Sequence, residues 1–306
     1  TVHVYNPPNG WIQNCNSTPF TVSGPNSPKR SDYPSYMAPD GENFRGVNAV
    51  RVLERGNAYT LESLIKAGYD NFLAAFEKLV PALVNAYEKE TAQGDHSYDS
   101  LAAPIALLKQ WDFRCSTQSV ASCLALEWGQ RILPQMSKYY EQSQNDQVLA
   151  TDLFIGRVAP VELLKPLQEV IFQLKKSFGR WEVALGEINR YQRLNGHIDS
   201  EFDDQSPSLP VGRVSSTWGC IPSFVSRYFP GTKLRYGYNG NSFICAVEFG
   251  EKVKAKSLLT GGESGHPDSK HFSDQASMYV DGQFKDVLFY KDDVLAHAEK
   301  KYHPGK

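Results

Sequence analysis

Residues 60–90 read "TLESLIKAGYDNFLAAFEKLVPALVNAYEKE". Phe72, Phe76, Leu79, Val80, Leu83, Val84 and Tyr87 fall on one side at a period of 3.6, the pattern of a helix burying one face. Pro81 sits inside that pattern. It lacks the N–H of a ladder bond, so a kink is expected near it. Further helices are expected downstream in "LAAPIALLKQWD" (101–112) and "STQSVASCLALEWGQRIL" (116–133), where Val120, Leu124, Trp128 and Ile132 repeat every fourth residue. In "APVELLKPLQEVIFQLKKSFG" (159–179) Pro160 suits a first turn and Gly179 a C-terminal stop. Its stripe is Leu163, Leu164, Leu167, Ile171, Leu174 and Phe178. "RWEVALGEINRYQRL" (180–194) is the last helical stretch expected.

On both sides of this helical block the texture changes. Residues 1–16 alternate apolar and polar around "NPPNG", a hairpin-like signal, and 17–44 form a long loop rich in Pro, Ser and Gly. After 198, "TKLRYGYNGNSFICAVEF" (232–249) predicts two strands turning at Asn239-Gly240. "KVKAKSLL" (252–259) and "QASMYVDGQFKDVLFY" (275–290) predict more strands, the second turning at Asp281-Gly282. The order is a short β start, a helical middle and a β end. It predicts one α+β unit: strands and a long loop over 1–58, helices over 59–195, mainly strands and loops over 196–306, with the terminal strands sharing a sheet.

The 306 residues are 41% hydrophobic and 22% charged, with a net charge of -2 and a pI near 6.4. No basic excess points to nucleic acid. No apolar run approaches the ~18 residues of a membrane span. The opening "TVHVYNPPNG" carries no signal peptide of its own, which leaves a longer precursor open. Cys15, Cys115, Cys123, Cys220 and Cys245 are odd in number and lack a Cys-x-x-Cys pair, arguing against zinc and a dense disulfide framework. A Cys220–Cys245 bridge and free buried thiols both remain open.

Four places carry chemistry-bearing residues. "GGESGHPDSKHFSDQ" (261–275) gathers Ser264, His266, Asp268, His271 and Asp274. A nucleophile elbow needs Gly two residues after the Ser, where His266 stands, and triad members converge from separate elements. A structured surface loop is the favoured reading. "NGHIDSEFDD" (195–204) offers carboxylates for a hard cation but lacks EF-hand spacing, so it reads as a solvated acidic loop. Thr1 has the hydroxyl and amine of an N-terminal nucleophile, or simply marks where the chain is cut. In "GWIQNCNSTP" (10–19), Asn14 and Asn16 would point the same way from a strand, and an amide there can donate to an oxyanion. Asn16-Ser17-Thr18 is also a glycosylation sequon, and Asn is common in turns.

Five stretches in order add a resemblance. "NPPNGWIQNCNSTP", "RGVNAVRVLE", "LLKQWDFRCSTQSVASCLALEW", "GRWEVALGEINR" with "LPVGRVSSTWG", and "GGESGHPDSKHFSDQ" with "YVDGQF" resemble segments of the penicillin acylase and acyl-homoserine-lactone acylase family of N-terminal nucleophile hydrolases. The resemblance implies an αββα sandwich fold with a long helical insertion. It implies amide hydrolysis through an acyl-enzyme on an N-terminal Ser, with an Asn in the oxyanion hole. Asn16 is the residue carried over to that role, and Arg51 to an Arg that orders the site. Cys15 departs from the family's aromatic between the two Asn residues. Nothing in 1–15 resembles the Ser segment, so the chain looks like the C-terminal part of a β chain and is expected to be inactive alone. The expected partners are the upstream α chain, the N-terminal part of the β chain and a small N-acyl amide: a β-lactam side chain, an acyl-homoserine lactone or another N-acyl compound. No nucleic acid or membrane partner is expected. No cofactor is required, although some members hold a structural calcium, for which Asp40 is the candidate ligand. The family's place is the periplasm. The rival reading is a non-catalytic binding or scaffolding module.

Overall fold

Side-chain caps set where several of the helices begin. A computed structural model describes residues 1–306 except 57, 95, 304 and 306. Helix α1 (Phe44–Arg55) begins where the Asn43 side chain accepts a hydrogen bond from Gly46 N at 2.8 Å. A Thr60–Ser63 capping box starts α2 (Leu61–Gly68). The expected long helix from residue 60 then breaks. Asp70 accepts from Phe72 N, and Phe72 bridges to Arg114 in extended form. Helix α3 (Phe76–Ala92) resumes and runs on through Pro81.

Helices α4 (Ala102–Lys109), α5 (Val120–Met136), α6 (Gln147–Ile155) and α7 (Pro160–Phe178) follow. The stops expected for α7 hold: Pro160 opens it, and Gly179 closes it in the left-handed region at φ 75°. Phe76, Leu79, Leu83, Leu124, Trp128, Ile132, Leu164 and Leu167 are fully or almost fully buried in the main core. Phe76 stacks on Trp218 at 4.9 Å between centroids, and Trp128 donates to Leu163 O at 2.9 Å.

The helix expected over 180–194 is only α8 (Leu185–Ile188), which passes straight into strand β1 (Asn189–Tyr191). The cause is Asn189. Its buried amide donates to Val211 O and Arg213 O and accepts from Ser226 Oγ, holding the backbone extended in a sheet. That sheet adds β2 (Leu209–Pro210), β3 (Phe224–Tyr228) and β4 (Arg235–Gly240) in the order β2-β1-β4-β3, with β1 and β4 parallel. A second sheet takes β5 (Phe243–Glu248), β6 (Lys254–Leu259) and β7 (Lys285–Asp286) in the order β5-β6-β7.

The α+β class therefore holds, with three further local corrections. The hairpin expected at Asn239-Gly240 does not form, because β4 pairs with β3 and β1 while β5 pairs with β6. Gly240, at φ 149°, carries the chain from one sheet to the other. The strand expected at 275–281 is helix α9 (Ala276–Asp281), burying Ala276 and Tyr279 one turn apart and ending at Gly282 with φ 69°. A short helix α10 (Lys291–Ala296) follows. Finally, 1–16 contribute no strand among the described residues, so no sheet is shared between the two ends. Burial does alternate from Ile12 to Asn16, but what faces this segment is a loop, through Gln13 N to Val22 O at 2.8 Å, and not a ladder.

Candidate functional site

The chain around Asn16 is held by α1. Asn43 Nδ2 donates to Cys15 O at 3.0 Å and to Asn16 O at 3.1 Å, while its Oδ1 caps the helix. One amide thus ties the helix start to the carbonyls on either side of the Cys15–Asn16 bond. Asn16 is not at a strand end. It sits in a turn with φ 55°, its N–H bonded to Asn14 Oδ1 at 2.8 Å. Asn tolerates this left-handed conformation better than most residues. The i, i+2 pair is real, but it is joined by an Asx turn and not by a common strand face.

Arg45, on the first turn of α1, anchors Nε on Ile221 O at 3.1 Å and donates Nη1 to Asn16 Oδ1 at 3.3 Å. A guanidinium has donors only. It therefore selects the amide oxygen, and the Asn16 Nδ2 group is left as a donor on an exposed residue with no protein acceptor among the described residues. Arg51, two turns further along α1, is directed elsewhere: Nη2 pairs with Glu77 at 2.5 Å, and the guanidinium lies over the Phe72 ring at 4.3 Å. Arg45 was missed in the sequence. The signal that would have found it is Asn43, a helix cap two residues earlier, which places position 45 in the first turn beside the strand-like 12–16 segment.

Arg45 and Asn14 also line a cleft of about 370 Å³ bounded by α1, α2, Tyr69, Ile221, Asn241 and β5. Its walls are largely apolar. Burial pushes the Cys15 thiol up, Arg45 opposes this and Glu42 adds to it, so Cys15 is no thiolate nucleophile near neutral pH. Burial likewise pushes the Tyr69 hydroxyl up to about 12, which keeps it a neutral donor.

The other sequence candidates lie apart from this arrangement. Thr1 is exposed and bonds His3 through Oγ1. In the 261–275 loop His271 pairs with Asp274 at 2.7 Å. Ser264 Oγ, however, accepts from His266 N, and among the described residues it makes no bond to either imidazole. Arg193 ties this loop down by donating to Ser264 O and Phe272 O. In the acidic loop Asp203 accepts from Gln205 N and Ser206, and Asp204 from Lys233 N and Tyr236, so both carboxylates serve the fold. All five cysteines are free, and Cys245 is the exposed one.

Calcium needs six to eight oxygen ligands. Asp40 is exposed and shares a cleft with Glu42 and Asp146, whose side chain already caps α6. Among the described residues no group of three or more His, Cys, Asp or Glu side chains is placed to hold a metal. These residues do not make a calcium site by themselves. No helix among them is long and apolar enough to cross a membrane.

The penicillin amidase family model matches residues 1–296. The chain is also similar to a solved structure, the thermostable penicillin G acylase from Alcaligenes faecalis in orthorhombic form, at 16% identity with a TM-score of 0.50. The match covers 98% of this chain and 57% of that one, so this chain spans little more than half of the acylase chain it matches.

Proposed function

The chain belongs to the penicillin amidase family, and from this premise we propose that it is the C-terminal portion of an amide-hydrolysing acylase, with Asn16 as an oxyanion donor. The observation that carries the assignment is the Arg45–Asn16 hydrogen bond, which turns the amide so that its NH₂ group is the free end. In this reading a Ser at the N-terminus of a separate segment attacks the amide carbonyl, and its own α-amine takes the hydroxyl proton. Negative charge collects on the carbonyl oxygen, and Asn16 Nδ2 donates to it. The C–N bond breaks, the amine leaves with the proton, and water then releases the acid from the acyl-enzyme.

Arg45, and not Arg51, is the residue proposed to order this site, because Arg45 holds both the Asn16 oxygen and the Ile221 carbonyl. The α chain and the N-terminal part of the β chain supply the nucleophile and the acyl pocket, and the 306-residue chain alone turns over no substrate. Extracytoplasmic, periplasmic location goes with this reading, as does a linear N-acyl amide substrate. The test is acid quench of the complete gene product with an N-phenylacetyl or long-chain N-acyl amide, followed by intact mass. An acyl adduct on an N-terminal Ser is expected. A folded protein that forms no adduct and hydrolyses none of these amides contradicts the reading.

A further inference from the structure

Two buried thiols that acyl transfer does not use meet where three stretches of chain converge. Residues 70–75 run between α2 and α3 and are held from two sides. Leu73 N donates to Phe113 O at 2.8 Å, and Cys115 N to Asn71 O at 3.2 Å. Ile221 N donates to Asp70 O at 3.3 Å, and Ala75 N to Trp218 O at 3.1 Å. Cys115, between α4 and α5, and Cys220, just before β3, are thus both brought to one short segment. Cys115 is 1% exposed and Cys220 0%. The Cys115 thiol is within donating reach of Asn71 O, at 3.2 Å, and of the Cys220 thiol. Far apart in sequence, the two cysteines are neighbours in the core.

Arg213 adds an unusual charge beside them. It is 6% exposed, donates to Val280 O at 3.0 Å and Tyr279 O at 2.8 Å, and leaves Nε without a partner. Among the described residues no carboxylate pairs with it, so its positive charge acts on the thiols. The hydrogen bond from Cys115 chiefly, then the Val214 N–H and Arg213, outweigh burial and hold the Cys220 thiol below its ordinary value. The same hydrogen bond, with burial, pushes Cys115 up. One thiol poised to ionise beside one that keeps its proton is the arrangement thiol–disulfide exchange needs.

We propose that Cys115 and Cys220 are joined by a disulfide in the folded protein, a staple between the helical core and the segment leading into β3. That segment matters to the site, because Ile221, next to Cys220, supplies the carbonyl on which Arg45 is anchored. The oxidant is a disulfide carrier, a protein dithiol oxidant or glutathione disulfide, met while the chain folds and before the core closes. The Cys220 thiolate attacks one carrier sulfur, and the other leaves. Cys115 then gives up its proton and attacks Cys220 Sγ, expelling the second carrier sulfur, which takes that proton. The protein loses two S–H bonds and gains one S–S bond, and the carrier's S–S bond is reduced to two thiols. Asn71 O loses the Cys115 thiol but keeps the Cys115 backbone N–H, so no buried acceptor is orphaned.

The test is cysteine mapping of the complete gene product, refolded from its reduced state in a mixture of glutathione and glutathione disulfide. The refolded protein is unfolded with iodoacetamide and no reductant, then digested. A peptide pair cross-linked through Cys115 and Cys220 is expected, with Cys123 and Cys245 alkylated. Reductant should lower the melting temperature of the oxidised protein by roughly 3–6 °C. It should also speed amide exchange at Cys115 and Ile221, whose N–H groups hold residues 70 and 71. In Cys115→Ala both responses to reductant should vanish and Cys220 should be alkylated. Alkylation of both Cys115 and Cys220 in the wild-type product overturns the proposal, as does a cross-link from either to another cysteine. A Cys115–Cys220 cross-link whose reduction changes neither melting nor exchange overturns the staple. The mapping reads the wild-type chain, so it decides the bond even where the variant does not fold. It reads no activity, so its outcome is separate from that of the acylase reading.

Discussion

Glu127 Oε1 accepts a hydrogen bond from Arg235 Nη1 at 3.0 Å, and each side chain is 5% exposed. The pair joins α5, in the helical core, to β4, in the first sheet. Arg235 also donates to Ser226 O and Ser226 Oγ, so most of the guanidinium is satisfied. Removing Glu127 leaves the buried Arg235 without a carboxylate, and removing Arg235 leaves the buried Glu127 with only the longer pairing to Arg131 at 3.7 Å. Glu127→Leu or Arg235→Met alone should cost about 3–5 kcal/mol, and the double variant less than the sum of the two. Urea unfolding of the four proteins measures this. Strict additivity would mean that the pair does not couple the helices to the sheet.

Asp70 sets an acid limit. Burial alone would raise its pKa. Hydrogen bonds from Asn48 and Phe72 N, with the hydrogen bond and charge of Arg114, outweigh burial and hold it below the ordinary value. A depressed folded-state pKa contributes stability that is complete above the unfolded-state value and lost as pH falls through the folded one. Stability should therefore drop below about pH 4, and Asp70→Asn should be less stable at neutral pH with a flatter acid slope. Melting temperatures from pH 3 to 7 check it, and an unchanged slope would contradict it.

How much of this was legible in the sequence depends on whether the signal was local. Helix α7 was, since Pro160 and Gly179 state its ends and its stripe states its face. Strand β6 was too. The Asn239-Gly240 turn misled because a two-residue hairpin signal cannot say whether its flanks meet each other or separate sheets. Helix α9 does not follow from its sequence because Tyr279 and Val280 favour strands, whereas burial of Ala276 and Tyr279 against the second core decides for a helix. Around the site, alternating burial at 12–16 was readable, but the left-handed turn at Asn16 was not, because it depends on Asn14 and on α1. Arg51 stood out by its motif. Arg45 is the residue that the Asn43 cap brings to Asn16.

Arg45 and Arg51 can be told apart by rate. Arg45→Met in the complete enzyme frees the Asn16 amide to turn, and kcat should fall by about tenfold. Arg51→Met breaks a part-exposed ion pair with Glu77, which is worth about 0–1 kcal/mol of stability, and should leave kcat within about threefold. Steady-state kinetics of both variants decide it. The reverse order would return the ordering role to Arg51.

The most direct test concerns Asn16 itself. A fixed donor at the developing oxyanion needs no reorientation during reaction, and removing one lowers kcat by about 10² to 10³, or roughly 3 to 4 kcal/mol. Asn16 is exposed, and its side chain makes one long bond, to Arg45, so the main cost of Ala to the fold is its left-handed backbone at φ 55°, about 1 kcal/mol. The measurement is kcat and KM of Asn16→Ala in the complete acylase, alongside its melting temperature. The predicted result is kcat down by at least about a hundredfold, with KM nearly unchanged and stability lowered by no more than the ~1 kcal/mol that Ala costs in the left-handed conformation at Asn16. A wild-type kcat in a well-folded Asn16→Ala enzyme would contradict the account.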